Sequence, residues 1–271
     1  MALDSSKPPP SQTDAKLKIY FLPNLLTAGN LFCGFLALTR IVEADPQNQA
    51  TFNSAIRNAI FFILLALLFD LFDGRVARMG GRESPFGREF DSLADLISFG
   101  AAPAFLVHHI ILKDVLSGFP KLSWMIAAIY LICGAFRLAR FNCLAAIAGT
   151  GGGKEFLGFP IPAAAGLVSS LTLFLLWLEE NGHSAGKWGF ALPAIMVFLS
   201  LMMVSEVRYP TFKSLDFRAK RSFTKMVGIV LLVACVVILW ERIKHVVLPV
   251  LFTIYLVYGF IRPRISRKVR E

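Results

Sequence analysis

Stretches of mainly apolar residues follow one another along the chain, and short polar segments separate them. An α-helix needs roughly 20 apolar residues to cross a bilayer, and most of these stretches approach that length. The last two are shorter and closely joined, which indicates a tight hairpin. The pattern therefore predicts an all-α integral membrane protein with about eight transmembrane helices. The predicted spans are residues 22–42, 55–73, 92–112, 122–141, 161–178, 189–206, 225–241 and 246–262.

Composition supports this fold class and divides the chain into three parts. Hydrophobic residues make up 56% of the sequence, more than in a typical soluble domain. Residues 1–18 are polar and rich in proline, and they lack the apolar core of a signal peptide, so we expect a disordered cytoplasmic tail. Residues 19–262 form one transmembrane domain, and residues 263–271 form a basic cytoplasmic tail.

The net charge of +10 has two possible explanations, a nucleic-acid partner or the positive-inside rule of membrane proteins. Most Lys and Arg residues fall in the two tails and in alternate loops, where they attract the anionic lipid of the cytoplasmic leaflet. A smaller group lies on the opposite side: Arg40, Arg57, Lys113, Lys121, Lys187, Arg242 and Lys244. This bias predicts a cell (inner) membrane protein with both termini cytoplasmic, and no nucleic acid is needed to explain the charge.

Four aspartates at the edges of the second and third spans are the most unusual feature of the sequence. A carboxylate at the bilayer centre costs roughly 2.5–3.5 kcal/mol on insertion scales, so these acids need compensation. Their spacing, together with that of nearby small residues, places each group on one helix face. One group is Asp70, Asp73, Gly74 and Ala77, and the other is Gly87, Asp91 and Asp95.

Carboxylates without His or Cys are hard oxygen ligands, which suit Mg²⁺ or Mn²⁺. Two such ions, about 3.5–4 Å apart, commonly serve displacement at phosphorus. Gly74 and Gly87 leave room for a ligand at the backbone, and Arg78 can pair with phosphate oxygens. The alternative is a set of solvated acids balanced by neighbouring arginines, but the register of the small residues favours a site.

The positions Asp70, Asp73, Gly74, Ala77, Arg78, Gly87, Asp91 and Asp95 match the pattern D-x2-D-G-x2-A-R-x8-G-x3-D-x3-D. The chain therefore resembles the CDP-alcohol phosphotransferases. The resemblance implies a six-helix core and a homodimer. It also implies transfer of a substituted phosphate from a CDP-linked donor to an alcohol, with release of CMP.

The same resemblance implies roles for individual residues. Asp70, Asp73 and Asp91 look like metal ligands, and Asp95 looks like a ligand or neighbour of the metals and the general base. The positions that look like the nucleotide and phosphate site are Asp70, Gly74, Ala77, Arg78, Ser84 and Gly87. Thr27 and Asn30 on the first span could bond the nucleotide or could instead join two helices.

Further segments resemble the membrane-integral bacterial and archaeal phosphatidylserine synthases within that family. They include LPNLLTAGNLFCGFLAL, FRLARFN, GFPIPAAAG and VRYPTFK. This resemblance implies CDP-diacylglycerol and L-serine as substrates. In FRLARFN, Arg137, Arg140 and Asn142 are the predicted acceptor-binding residues. Either arginine could instead hold the diphosphate or extend to lipid phosphate.

Three other functions remain open on the sequence alone. A phosphatidylglycerophosphate synthase would share the signature but would need more cationic contact for its phosphorylated acceptor. An intramembrane aromatic prenyltransferase also uses Asp-rich Mg²⁺ motifs, yet these come as two separate sets. A cation transporter would place acids in mid-span, and residues 161–178, 189–206 and 225–241 contain none.

Overall fold

A computed structural model describes residues 21–79, 84–109, 119–148, 155–182, 190–210 and 246–258. Helices dominate this part of the chain, as the hydrophobic pattern predicts. The elements are α1 (Phe21–Glu43), α2 (Gln49–Met79), α3 (Pro85–Asp95), a π-helical segment (Leu96–Ala101), α4 (Ala102–Val107), α5 (Pro120–Ala148), β1 (Glu155–Leu157), α6 (Ile161–Glu180), α7 (Ala191–Val204), β2 (Arg208–Pro210) and α8 (Val246–Tyr258).

Five helical segments of the described part are long and apolar enough to cross a membrane. They are Asn24–Glu43, Gln49–Gly74, Pro85–Val107, Lys121–Ile147 and Ile161–Glu180. Helices α7 and α8 are apolar but shorter. Large apolar side chains on the outer surface, such as Phe61 and Phe136, are exposed as lipid contact requires. The prediction of a multi-pass helical membrane protein is confirmed. The span predicted at 225–241 lies outside the described residues, so the helix number stays a prediction.

Successive long helices run in opposite directions, which gives the bundle two distinct ends. The four aspartates lie on the C-terminal part of α2 and on α3, and we call this end of the bundle the acid end. At the opposite end, the Arg57 guanidinium on α2 lies 2.5 Å from the Glu180 carboxylate on α6. The Asn53 amide donates to the same carboxylate over 3.3 Å. These contacts tie α2 to α6 far from the aspartates.

The π-helical segment directly follows Asp95 and lies in the core. Ser98, Phe99, Gly100 and Ala101 are all buried in this segment. Helix α1 approaches it closely, because a Cβ atom on Gly34 would lie 2.8 Å from the Ser98 Cα. The Tyr130 hydroxyl donates to the Phe99 carbonyl oxygen over 3.2 Å. Single π-helical turns often occur at functional sites.

A short antiparallel strand pair, which the sequence did not predict, joins two connections at the acid end. Glu155 pairs with Pro210 and Leu157 pairs with Arg208. The next residue, Gly158, has φ +78°, and a Cβ atom there would collide with the Met203 carbonyl oxygen. Only glycine adopts this conformation without strain. The pair fixes the start of α6 against the end of α7.

Candidate active site

Three of the four predicted acids converge at the acid end. Asp70 comes from α2, and Asp91 and Asp95 come from α3, one helical turn apart. Each offers a carboxylate oxygen, and these oxygens lie within 4.8 Å of one another. We call these three residues the acid cluster. Three carboxylates at this separation repel one another unless a cation or protons compensate their charge.

Asp95 lies deepest, and helix α1 supports it. The Asn30 side-chain amide donates to Asp95 Oδ1 over 3.1 Å, and both residues are buried. The Ser98 hydroxyl in turn donates to the Asn30 backbone carbonyl over 2.9 Å. Asn30 therefore holds one carboxylate oxygen of Asp95 and leaves the other to the cluster.

Asp73 does not join this group of three and has a different partner. It is buried, and its carboxylate accepts a hydrogen bond from the Thr27 hydroxyl on α1. Thr27 and Asn30 thus each bind one aspartate across a helix interface. These bonds join two helices, which is one of the two roles expected for Thr27 and Asn30 from the sequence. Their contact with the nucleotide stays a prediction.

The acid cluster fits a divalent cation of the Mg²⁺ or Mn²⁺ type. Its donors are hard oxygens, they come close together, and the described part of the cluster includes neither His nor Cys. The side-chain carbonyl oxygen of Asn30 is buried and has no hydrogen-bond partner among the described residues, so a further oxygen is available beside Asp95. When bound, such an ion would offset the repulsion between the carboxylates and polarise phosphate oxygens.

At the start of α3, a serine hydroxyl and an asparagine amide lie close to the helix backbone. The Ser84 hydroxyl caps the helix by accepting from the Gly87 amide over 3.0 Å. A Cβ atom on Gly87 would lie 3.4 Å from the Asn24 side-chain oxygen and 3.2 Å from the Ser84 hydroxyl. The Asn24 side-chain nitrogen is buried without a partner in the described chain. The sequence reasoning missed Asn24, although it lies one turn before Thr27 on the same helix face.

The remaining signature positions lie on α2 near its end. Gly74 is partly buried and follows Asp73 directly. Ala77 and Arg78 belong to the same helix, but their side chains lie outside the described part of the structure. Their predicted contacts with the nucleotide and phosphates stay predictions.

Of the three predicted acceptor residues, the structure brings only Arg137 to the acid cluster. Arg137 lies on α5, is only 8% exposed, and interacts electrostatically with Asp95 and Asp70. It does not reach the lipid surface. Its Nε has no hydrogen-bond partner among the described residues. A buried cation beside an acidic site is suited to binding an anionic substrate group.

Arg140 and Asn142 have partners elsewhere. Arg140 is partly exposed, donates to the Val204 carbonyl over 3.2 Å and lies 3.8 Å from Glu206, so it contacts the end of α7. The Asn142 amide donates to Glu89 over 3.2 Å and to Ser92 over 2.9 Å, which ties α5 to α3. Acceptor binding by these two residues stays a prediction. Their contacts indicate that they hold α5 against the neighbouring helices of the site.

Comparison with known proteins adds to this geometry. The CDP-diacylglycerol–serine O-phosphatidyltransferase of Helicobacter pylori is 33% identical over 245 residues, which cover 90% of this chain and 91% of that protein. The archaetidylserine synthase of Methanothermobacter thermautotrophicus is 35% identical, over 70% of this chain and 69% of that protein. The CDP-diacylglycerol–serine O-phosphatidyltransferase of Bacillus subtilis is 32% identical, over 71% and 92% respectively.

The general model of one protein family also matches residues 20–202, which contain every aspartate of the site. This match runs from α1 into the last turn of α7, and the relatives extend the similarity to most of the chain. The sequence signature, the converging carboxylates and these comparisons agree. The chain belongs to the CDP-alcohol phosphatidyltransferase family.

Proposed function

We propose that this protein is a CDP-diacylglycerol–serine O-phosphatidyltransferase, which makes phosphatidylserine and CMP. The observation that carries the proposal is the buried Arg137 beside the acid cluster. The carboxylates suit a cation that binds a diphosphate, and the guanidinium suits the carboxylate of a small amino acid. Relatives in bacteria and archaea that are named for serine transfer support this choice of acceptor.

In the proposed reaction, the serine hydroxyl oxygen attacks the phosphorus that carries the diacylglycerol. A new P–O bond forms, the bond from that phosphorus to the bridging oxygen breaks, and CMP leaves with the bond electrons. Asp95 takes the hydroxyl proton. Its Oδ1 is held by Asn30, so its other oxygen is free to act as the base. Arg137 holds the serine carboxylate and thereby orients the hydroxyl group.

We propose two Mg²⁺ or Mn²⁺ ions as cofactors. Asp70 and Asp91 would hold one of them with Asp95 as their neighbour, and Asp73 would contribute to the second. The backbone around Ser84 and Gly87, together with Asn24, Gly74, Ala77 and Arg78, would bind the cytidine diphosphate. A homodimer is also proposed on the family resemblance, and cross-linking in intact membranes would test it.

The acid end is proposed to face the cytoplasm, where serine and CMP are soluble, while the acyl chains stay in the lipid. The uneven distribution of Lys and Arg supports this orientation. In a cysteine-free background, Asn181→Cys at the opposite end should react with an impermeant thiol reagent added to intact cells. Glu206→Cys at the acid end, whose side chain is 89% exposed, should react only after permeabilisation. The reverse labelling pattern would contradict the orientation.

The decisive experiment is an acceptor panel with purified protein. Wild-type protein in detergent, with CDP-diacylglycerol and Mn²⁺ or Mg²⁺, is offered serine, glycerol 3-phosphate, glycerol or inositol. We expect CMP release and lipid product with serine alone. Turnover with glycerol 3-phosphate instead would identify a phosphatidylglycerophosphate synthase, and no turnover with any alcohol would refute the enzyme assignment.

Arg137→Lys tests the acceptor site. Lysine keeps the charge but lacks the planar fork that binds a carboxylate through two parallel hydrogen bonds. We expect the KM for serine to rise by about tenfold, while the KM for CDP-diacylglycerol changes little, because one charge-assisted hydrogen bond contributes roughly 1.5–3 kcal/mol. The matched control is Arg140→Lys, whose guanidinium contacts the end of α7. A rise in the donor KM would assign Arg137 to the diphosphate instead.

A further inference from the structure

Helix α8 lies beyond the residues that the family model matches, yet it packs against the catalytic part of the bundle. Its Phe252 ring fills the space beside Gly166 on α6, where a Cβ atom would collide with the ring. The Tyr255 ring lies 5.7 Å from that of Phe159, measured between centroids. Phe159 is fully buried and lies two residues after β1. These contacts fix one face of α8 on the start of α6.

That face also brings Tyr255 close to Arg137. The two side chains interact electrostatically, and Tyr255 is partly buried. The other groups that interact with Arg137 in this way are Asp95 and Asp70. Arg137 therefore interacts both with the acid cluster and with the tyrosine of α8.

Arg137 has hydrogen-bonding capacity left in this position. Its Nε is buried without a partner in the described part of the chain. Leaving a buried donor unpaired costs about 1–3 kcal/mol, so a ligand that accepts from it gains by binding. The nearby carboxylates attract the guanidinium, and a further partner would help to hold it in an orientation that serves another anion.

We propose that Tyr255 is a positioning residue that orients the Arg137 guanidinium for the acceptor substrate. The phenol oxygen can accept from a guanidinium N–H, which the acid cluster would otherwise attract. Helix α8 then completes the acceptor site, although the signature motif lies wholly outside it. This inference rests on the proposed function, because it assigns Arg137 to the acceptor.

A purely structural role for Tyr255 is the competing explanation, since its ring packs on Phe159. Tyr255→Phe separates the two roles, because it keeps the ring and removes only the hydroxyl group. Tyr258→Phe is the matched control, since Tyr258 lies on the same helix and is 53% exposed. Both variants are compared with wild type by thermal unfolding in detergent and by steady-state kinetics.

We expect Tyr255→Phe to raise the acceptor KM by about threefold to tenfold, as the loss of one hydrogen bond to a charged group does. The donor KM, kcat and the unfolding temperature should stay near the wild-type values. If Tyr255 acts through Arg137, the double variant with Arg137→Lys should have the same acceptor KM as Arg137→Lys alone. Tyr258→Phe should behave as wild type.

The kinetics use whichever alcohol the wild-type protein accepts, so a wrong choice of serine does not affect this test. The inference is overturned if Tyr255→Phe behaves as wild type, or if its effect multiplies with that of Arg137→Lys. It is also overturned if the variant lowers the unfolding temperature and raises both KM values together, which indicates packing alone. A wild-type protein that accepts no alcohol would refute the proposed function, and this inference with it.

Discussion

Replacement of Asp91 by asparagine is expected to abolish turnover while the protein still folds in the membrane. Asp91 lies in the acid cluster, with its carboxylate oxygen within 4.8 Å of those of Asp70 and Asp95. A neutral amide is a poor ligand for Mg²⁺ or Mn²⁺. Because a bound cation supplies several kcal/mol of charge stabilisation, we expect kcat to fall by at least about a hundredfold. The measurement is CMP release at saturating metal, together with Mn²⁺ binding by equilibrium dialysis.

The matched control for Asp91→Asn is Asp45→Asn, the same chemical change at the opposite end of the bundle. Asp45 is exposed and accepts a hydrogen bond from the Gln47 backbone amide. This control should keep wild-type activity and Mn²⁺ binding. Near-normal activity or Mn²⁺ binding in Asp91→Asn would remove Asp91 from the metal site.

Asp95→Asn is expected to lower activity for a different reason. Loss of a general base typically lowers kcat by roughly 10²–10⁴-fold. The asparagine oxygen can still accept from the Asn30 amide, which now bonds Asp95 Oδ1 over 3.1 Å, so the local fold should persist. We expect CDP-diacylglycerol binding to be largely kept and Mn²⁺ binding to weaken less than in Asp91→Asn.

Direct binding of the donor decides between these two roles. If both variants lose CDP-diacylglycerol affinity equally, Asp95 acts as a metal ligand rather than as the general base. If Asp95→Asn keeps nearly full kcat, another group takes the proton from the acceptor hydroxyl. Unfolding temperatures of both variants, compared with wild type, separate either result from loss of the fold.

The helical bundle and the acid cluster could be predicted from the sequence because both depend on local periodicity. Apolar runs of about 20 residues specify membrane helices. The i, i+4 spacing of Asp91 and Asp95 places them on one helix face, and the structure does bring both to Asp70. Asp73 was predicted as a fourth member; it lies outside the group of three and accepts a hydrogen bond from Thr27 on α1, and its metal role stays a prediction. Spacing defines the face of one helix and not the partner that another helix presents.

Features that depend on contacts between distant segments could not be predicted. The strand pair joins Phe156 to Tyr209, and its three-residue strands are too short to show alternation. Their pairing depends on α6 and α7 bringing the two connections together. Tyr255 carries no local signal either, because only the packing of α8 on α6 brings it near Arg137.

The π-helical segment changes the angular phase of the helix that carries the acids. An α-helix advances about 100° per residue, and one extra residue in a turn rotates everything after it by about that angle. Asp91 and Asp95 before the segment belong to the acid cluster, while Pro103 and Leu106 beyond it are buried in the apolar bundle. Removing one residue from Leu96–Ala101 would rotate the helix after the segment by about 100° relative to the helix before it. The acids and the buried apolar residues could then not both keep their present positions, although no side chain of the acid cluster would change.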